Sequence, residues 1–391
     1  MYKEYRYDIE FTYIYKNKEK VFDITNIKSL MIDYDYDNKN MPVMLIKISI
    51  DKNIIDDMIE HCNDKEVILN VYKFDNSSTT KLKEVYISDS FMYFMSKETN
   101  DNKVLDYSDF TEDSEDIFKT ITIGLVKKEL LTNNKRIINE VFHNTSLVNI
   151  LVKNMQHMKL LIEPLHNNKY IDSIIIPPTN SITNYIKYID NIHSLYNTKY
   201  RLFYDFDMTY LLSSSGNIVK SNKDHIYTFI ININNTVEEI SKSQGVRKEN
   251  DTFIIDMDAV DVTTYEEDNT EKSYTTILGV DVNGNVIETP IKNQNLSDSV
   301  RIERYVDGNS KAIDNLKSEI NNKSLYVTLI KTELDASAIT INKQYIVKNL
   351  DKLDYNDGQF ILASKKELYI PDNDNYILTS ILTLRQIYPS K

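Results

Sequence analysis

Residues 5–15 alternate between apolar and polar side chains, and this period of two constrains the fold more than any other feature of the chain. Alternation of this kind is typical of a strand with one buried face. The apolar face of this segment comprises Tyr5, Tyr7, Ile9, Phe11, Tyr13 and Tyr15. Similar runs predict further strands near 20–24, 28–36, 42–51, 65–75, 82–96 and 117–126, with a helix at 52–62 and an acidic loop at 97–116. We therefore expect a mainly antiparallel β-unit with one helix.

The middle of the chain has a different pattern. The elements expected there are a helix at 145–158, a strand at 171–176 ended by Pro177-Pro178, a helix from Ser181 through Ile192, and one apolar strand from Arg201 to Leu212. Thr145 or Ser146 is the expected N-cap of the first helix, because a hydroxyl there accepts a hydrogen bond from an unpaired backbone amide. This part is interpreted as an α/β insert.

The β character returns after the insert. The expected elements are a strand at 226–233, a hairpin that turns at Asn283-Gly284, a strand at 300–306, a helix at 309–321, a strand pair at 323–333 and 338–347, and strands at 358–364 and 376–387. An Asn-Gly pair between β-branched runs is a strong hairpin signal.

The first and last parts of the chain share an order of elements. Strand 42–50, Asp51, helix 52–62 and strand 66–75 are matched by strand 300–306, Asp307, helix 309–320 and strand 324–333. We interpret this match as a duplicated β-unit, although strand–helix–strand also recurs by coincidence. The expected fold is α+β and mainly β, with two tube-like antiparallel β-barrel domains flanking an α/β insert domain. The expected domains are 1–126, 127–225 and 226–391.

The net charge of −13 is unevenly spread over the 391 residues. Residues 1–126 carry 16 − 25 = −9, residues 127–226 carry 12 − 8 = +4, and residues 227–391 carry 18 − 26 = −8. Phosphate neutralisation needs clustered Lys and Arg, so the acidic parts are not expected to hold nucleic acid tightly. An acidic surface would let DNA slide past, and solubility alone also explains the imbalance.

Composition excludes several classes of protein. The chain has 7 Gly, and the closest pair is Gly279 and Gly284, so neither a Rossmann fingerprint nor a P-loop is present. One cysteine, Cys62, excludes an intrachain disulfide and fits a reducing compartment. The sequence has no run of about 20 apolar residues and no signal peptide at its N-terminus, so membrane insertion is not expected. The 28 Tyr fit both strands and subunit interfaces.

The sharpest candidate for catalysis is the pair Asp205 and Asp207 at the end of an apolar run. The segment resembles the DxDxT motif of haloacid-dehalogenase-type phosphatases, in which one Asp attacks phosphorus beside Mg²⁺. Met208 replaces the usual Gly, and Asp256 and Asp258 are poor substitutes for the downstream metal pair. The alternative interpretation is a buried strand with both Asp on one face.

The other candidates are weaker. Asp33, Asp35 and Asp37 begin like an EF-hand loop, but Asn38 and Met44 stand where Gly and Glu are required. The six His have no HxxxH or HxH spacing, Cys62 lacks an evident base, and Ser213-Ser214-Ser215-Gly216 lacks the nucleophile-elbow pattern. We therefore assign no catalytic residue, no cofactor site and no metal site.

Three features together resemble the baseplate hub proteins of contractile phage tails and related injection particles. The first is the pair of β-units flanking an insert. The second is Ile174-Ile175-Ile176-Pro177-Pro178 followed by the helix through Tyr185 and Ile189. The third is the string YRLFYDFDMTYLLSS at residues 200–214. The resemblance covers the whole chain in architecture, through short motifs.

The resemblance implies a mechanical role with no catalytic residues. Each subunit of that family supplies two tube-like β-domains, and three subunits form a ring with pseudo-sixfold symmetry. Such a homotrimer joins the sixfold tail tube to a threefold spike, contacts other baseplate proteins, and passes DNA through its lumen without specific binding. It is a virion protein assembled in the bacterial cytoplasm. A tail-tip or tube-associated protein of a non-contractile tail, and a phosphatase using Asp205 and Asp207, are the alternatives.

Overall fold

The structure is a computed structural model of the chain. It describes residues 5–15, 18–22, 27–62, 65–76, 82–95, 118–156, 159–166, 168–196, 199–214, 226–232, 247–248, 252–256, 260–266, 276–280, 285–290, 303–307, 323–332 and 339–387.

Strands dominate the described residues, with four α-helices among them. In chain order the elements are β1 (Tyr5–Tyr15), β2 (Lys18–Phe22), β3 (Ile27–Asp35), β4 (Val43–Asp51), α1 (Lys52–Glu60), β5 (Glu66–Asp75), β6 (Glu84–Phe94), β7 (Phe118–Lys127), α2 (Lys128–Asn134), β8 (Ile138–Ser146), α3 (Leu147–Met155), β9 (Leu160–Ile162), β10 (Tyr170–Thr179), α4 (Ile182–His193), β11 (Tyr200–Tyr204), β12 (Thr209–Ser213), β13 (Ile226–Asn232), β14 (Arg247–Lys248), β15 (Thr252–Asp256), β16 (Val260–Glu266), β17 (Thr276–Val280), β18 (Val286–Pro290), β19 (Glu303–Asp307), β20 (Lys323–Thr332), β21 (Gln344–Lys348), β22 (Gly358–Asp372) and β23 (Asn375–Gln386).

Eight strands close into an antiparallel barrel, because the last pair, β22 and β23, bonds to both ends of an open sheet. The order around the barrel is β22-β3-β4-β7-β6-β5-β1-β23, and β23 pairs again with β22. Six of these strands come from the start of the chain and two from its last described segment. Closure removes the free edges that an open sheet of these strands would present.

The hairpin formed by β22 and β23 extends beyond the barrel. Residues 364–369 of β22 pair with β3, whereas residues 358–361 of the same strand pair with β21. Likewise β23 pairs with β20 over residues 379–385. Through these contacts six further strands, β13, β14, β15, β16, β20 and β21, join the eight barrel strands. With β2, which pairs with β1, they form a continuous 15-stranded sheet. One hairpin therefore carries two β-units.

The alternating sequence of the barrel strands explains their orientation. In β4, residues 44, 46, 48 and 50 are buried and their neighbours are half-buried, which is the expected period of two. The interior is filled with large side chains, including fully buried Tyr13, Phe91 and Tyr93. The barrel is thus a packed core, as expected for eight strands.

Helix α1 packs its apolar side on the barrel. Asp51 is its N-cap and accepts a hydrogen bond from the Asn53 amide (2.8 Å). Ile54, Ile55 and Met58 are buried in the barrel core.

Asp57 is buried on the same side of α1. It accepts hydrogen bonds from the hydroxyl of Tyr13 (2.6 Å) and from Lys65 Nζ (3.2 Å). A buried carboxylate with these partners has its charge compensated.

The insert has a second core of its own. Helices α3 and α4 pack on one face of the two-stranded ribbon β8–β10, and β9, β12 and β11 form a separate three-stranded sheet. Ser146 is the N-cap of α3, and Ser181 is the N-cap of α4, where its hydroxyl accepts from the Asn184 amide (3.0 Å).

The structure confirms the α+β, mainly β fold class and corrects four local predictions. Arg201 to Leu212 is not one strand but the hairpin β11–β12, whose turn is residues 205–208. The strand at 171–176 does not end at Pro177-Pro178 but continues to Thr179 through an irregularity after Ile176. Phe142, whose spacing from Leu147 and Ile150 fits the apolar side of the helix predicted at 145–158, lies before that helix in strand β8.

The fourth correction concerns a strand pair. Residues 323–333 and 338–347 do not pair with each other, because β20 bonds to β16 and β23 while β21 bonds to β13 and β22. The predicted helix at 309–320, the acidic loop at 97–116 and the turn at Asn283-Gly284 lie outside the described residues. The duplication and the division at 126 and 226 stay predictions. Among the described residues, none of the helices is both long and apolar enough to span a membrane.

Candidate functional site at the junction of barrel and insert

The hairpin β11–β12 contributes side chains to both cores. Its strands are buried on both faces. Phe203, Tyr210 and Leu212 belong to the barrel core, whereas Leu202, Tyr204 and Leu211 belong to the insert core. Two buried faces leave no period of two in the sequence, which explains why the segment looked like one continuous apolar strand.

The tip of this hairpin packs on the barrel. The ring of Phe206 makes edge contacts with the rings of Tyr34 and Phe91, at 6.0 Å between centroids in both cases. Lys127 Nζ, at the end of β7, donates to the Phe206 carbonyl and forms an ion pair with Asp89. These contacts fix the insert to the barrel at the ends of β3, β6 and β7.

A buried charge cluster holds three parts of the chain together. Arg201 Nε lies 3.1 Å from Asp37 Oδ1, and Arg385 Nε lies 3.2 Å from Asp37 Oδ2. These contacts are ion pairs without hydrogen-bond alignment. Arg201 Nη2 also donates to the Leu362 carbonyl. Arg201 belongs to the insert, Asp37 follows β3, and Arg385 and Leu362 belong to the last hairpin.

A second ion pair lies inside the barrel on β22. Glu367 is fully buried and accepts from Lys365 Nζ (2.9 Å), from the Tyr86 hydroxyl (2.7 Å) and from the Tyr369 hydroxyl (3.0 Å). The Lys365 ammonium also lies 4.3 Å from the centre of the Tyr34 ring. Burial, and then the charge of Glu367, raise the pKa of Tyr86 and of Tyr369 well above the ordinary value. Both hydroxyls therefore stay protonated and donate.

Asp205 and Asp207 lie in the tight turn of the hairpin. The Asp205 amide donates to the Met208 carbonyl (2.8 Å), and Asp205 Oδ1 accepts from the Phe206 amide (2.8 Å). Burial raises the pKa of the Asp205 carboxyl to about 6, while the charge of Lys365 acts in the opposite direction. Asp207 is exposed.

This geometry differs from the phosphatase arrangement considered above. The DxDxT motif needs its carboxylates at the end of a strand in an alternating βα array, whereas this turn joins two antiparallel strands. Asp256 ends β15 in a different sheet, and Asp258 lies outside the described residues. Asp205 is instead a turn residue whose carboxylate accepts a hydrogen bond from the backbone amide of the next residue, Phe206.

The remaining candidates are separated in the structure. Asp33 pairs with Lys39 Nζ (2.6 Å), Asp35 Oδ1 accepts from the Asn38 amide (3.0 Å), and Asp37 faces the arginines. In the part of the chain that the structure describes, no group of three or more His, Cys, Asp or Glu could hold a metal ion.

Two further sequence candidates have structural roles. Cys62 Sγ contacts the Met95 amide (3.4 Å) and the Tyr93 carbonyl (3.8 Å). Ser213 ends β12, and its amide donates to Glu163 Oε2 (2.6 Å).

The charge clusters were not predicted from sequence. An arginine inside an otherwise apolar segment, such as Arg201, was the available signal for the first. For the second, Lys365 and Glu367 flank another charged residue, Lys366, and this charged run gave no signal of burial, whereas the structure places Lys365 and Glu367 inside the barrel.

Comparison with known proteins identifies the family. The family model described as Bacteriophage PBS1 gene 109 protein matches residues 2–387. The chain belongs to this family. The match spans nearly the whole chain, so the family model includes the barrel, the insert and the last hairpin. No curated protein matches the chain.

Three solved structures that are 7–11% identical to the gene 109 family chain align with more than 90% of it. A tail protein from Neisseria meningitidis MC58 is 9% identical, with 97% of each chain covered and a TM-score of 0.52. The 43 kDa tail protein of prophage MuSo2 from Shewanella oneidensis is 11% identical, with coverage of 96% and 97% and a TM-score of 0.46. The c3393 protein of E. coli, a type VI secretion component, is 7% identical, with coverage of 93% and 74% and a TM-score of 0.44.

We infer the shared fold from the first of these proteins alone, since the other two scores are below 0.5. The gene 109 family chain therefore has the fold of a tail protein over nearly its full length. Family and fold together support a structural protein of the phage-tail type. The resemblance to phage tail proteins that was noted in the sequence is therefore confirmed.

Proposed function

We propose that this chain is the baseplate hub of a contractile phage tail or a related particle. In this proposal three copies form a ring that joins a sixfold tail tube to a threefold spike, within the virion, after assembly in the bacterial cytoplasm. The ring also contacts other baseplate proteins. Its role is mechanical, and it has no catalytic residues and no cofactor.

The observation that carries the proposal is the shared hairpin β22–β23. One part of β22 bonds to β3 in the closed barrel and another part bonds to β21 in the adjoining strands. A subunit built this way presents two β-units on one rigid connection. Three such subunits offer six β-units, which matches a sixfold tube on one side and a threefold partner on the other.

Charge and packing support a passage at the centre of the ring. The barrel interior is filled by side chains such as Tyr13 and Tyr93, so DNA would pass between subunits and not through a barrel. The flanking parts of the chain carry −9 and −8. An acidic lining repels phosphate and allows DNA to move without being held.

Mass measurement of the purified full chain tests the proposal. We expect a trimer mass by native mass spectrometry, either alone or on addition of the candidate spike protein from the same genome. The matched control is an unrelated trimeric protein at the same concentration, which should not bind the candidate spike protein. A chain that remains strictly monomeric with and without the spike contradicts the hub.

A sheath gene beside the coding sequence would separate the two tail types. A contractile tail requires a sheath, so its presence favours the hub. Its absence favours a tail-tip protein of a non-contractile tail.

A further inference from the structure

The outer face of the β8–β10 ribbon carries exposed aliphatic side chains next to the polar residues Asn139, His143 and Ser173. Val141 and Ile175 are direct partners across the two strands, and they are 52% and 66% exposed. Ile137, immediately before β8, is 72% exposed. The opposite face of the ribbon, which includes Phe142 and Ile174, is buried in the insert core. A group of exposed aliphatic side chains of this kind marks an interaction surface.

The chemistry at the edge of this face indicates the charge of its partner. Lys135 and Arg136 directly precede Ile137, and both are exposed. They belong to the part of the chain with a net charge of +4, between parts of −9 and −8. A matching surface would therefore combine an exposed apolar side chain with neighbouring acidic groups.

Helix α1 offers this combination. Ile59 is 44% exposed, and Asp56 and Glu60 are exposed beside it. Since residues four apart share a helix face, the two carboxylates repel each other. Glu60 is also in the last turn, where an acidic group is unfavourable next to the helix dipole and where α1 has no basic residue. Cations supplied by a neighbour would relieve both effects.

We propose that the β8–β10 ribbon of one copy docks on α1 of a second copy of this chain. Ile137, Val141 and Ile175 then cover Ile59, and Lys135 and Arg136 face Asp56 and Glu60. The two surfaces differ, so the contact is head-to-tail and closes into a ring by rotation. This inference rests on the proposed homotrimer and assigns the surfaces that join its subunits.

Charge reversal tests the pairing directly. One variant carries Lys135→Glu with Arg136→Glu, a second carries Asp56→Lys with Glu60→Lys, and a third combines all four. Juxtaposed like charges oppose association. We therefore expect each double reversal to raise the dissociation constant of the full chain about tenfold or more. The combined variant should return towards the wild-type value, because the opposite charges face each other again.

A matched control separates this contact from a general charge effect. Lys159→Glu with Lys187→Glu reverses two exposed charges of the insert outside the ribbon. Sedimentation of the variants over a range of concentrations, with thermal unfolding as a check of folding, gives the comparison. The control should associate like the wild type.

The outcomes distinguish this inference from the proposed function. A wild-type trimer whose ribbon reversals behave like the control overturns the ribbon–α1 contact but leaves the hub intact. The contact is also overturned if the double reversals weaken self-association and the combined variant does not restore it. A wild type that is monomeric with and without the spike contradicts the trimer itself.

Discussion

At the scale of residues, buried charges fix how the parts of the chain meet. Arg201 of the insert forms an ion pair with Asp37, and Asp37 also forms an ion pair with Arg385 of the last hairpin. Burial lowers the pKa of Arg201, while Asp37 opposes this effect. An arginine nevertheless stays charged because its ordinary pKa is so high. A buried charge without its partner is costly, so the correct arrangement of the three parts is favoured over misaligned ones.

Replacing Arg201 tests this role. Arg201→Met leaves Asp37 with one partner and the Leu362 carbonyl without its donor, so we expect a loss of about 3 kcal/mol in the free energy of unfolding. Urea denaturation measures the loss. Arg385→Met is the matched variant and should cost less, because Arg385 is more exposed. Equal, small losses in both variants would show that the cluster contributes little.

The pKa of Asp205 predicts a dependence of stability on pH. Its folded pKa of about 6 is above the ordinary value of 3.8. The folded state therefore binds this proton more tightly, and the resulting stability is complete below pH 3.8 and lost as pH rises through 6. Asp205→Asn, which mimics the protonated form, should be more stable than wild type at pH 7 and similar to it at pH 4.

Denaturant unfolding at several pH values between 4 and 7 measures this difference. Asp207→Asn is the control, since its carboxyl is exposed. A difference between Asp205→Asn and wild type that does not change with pH would contradict the prediction.

At the scale of elements, helix α4 depends on the N-cap residue that precedes it, Ser181. The Ser181 hydroxyl accepts from the Asn184 amide (3.0 Å), whereas Ser146 at the start of α3 makes no side-chain capping bond. Two serines at the same helix position thus differ in what they contribute. The apolar face of α4 contains Ile182, Tyr185, Ile186 and Ile189, all buried in the insert core.

This pair of serines gives a prediction with a built-in control. Ser181→Ala removes the capping acceptor and should lower the free energy of unfolding by about 1 kcal/mol. Ser146→Ala should cost less than half as much. Parallel thermal or urea unfolding compares the two variants. A larger loss in Ser146→Ala would mean that capping does not explain the preference for serine at these positions.

Elements with one face in solvent could be predicted from the sequence, because their apolar side chains keep the period of the element, two in strands and 3.6 in helices. The strand predicted at 28–36 is found at Ile27–Asp35, and the helix predicted at 52–62 is found at Lys52–Glu60. The β11–β12 turn was missed because both strands are buried on both faces. Phe206, within the turn, is an apolar residue that packs on the barrel.

The inward-facing charges of β22 and the prolines of β10 are two further features that the sequence did not predict correctly. Lys365 and Glu367 point into the barrel, so the second half of β22 lacks an apolar alternation. Pro177-Pro178 was expected to end a strand, but a proline can remain in an edge strand or at an irregularity, where its missing amide is not needed. The junction at Asp37 joins residues that are far apart in sequence, and local patterns carry no information on such contacts.

At the scale of the whole molecule, the last hairpin completes the barrel. It lies between β3 and β1 and pairs with both. It also supports β20 and β21, so one hairpin connects most of the 15-stranded sheet. Loss of this element would affect every β-unit at once.

Truncation tests this dependence. A chain that ends at residue 357 lacks β22 and β23, so β3 would present an open strand edge and β1 would lose its pairing at Tyr7. We expect it to lose its cooperative unfolding transition and to aggregate, as measured by calorimetry and sedimentation. A chain that ends at residue 387 keeps every described strand and should behave like the full protein. A monomeric, cooperatively folded 357-residue chain would contradict the prediction.

The position of the closing hairpin also determines when the barrel can form during synthesis. A ribosome completes β1 and β3–β7 some 230 residues before it reaches Gly358. At about 5–20 residues per second, the nascent chain waits on the order of ten seconds or more with an incomplete barrel. Only chains whose translation has passed residue 386 can close the barrel. Polypeptides that are released earlier therefore lack the folded unit that the proposed ring requires.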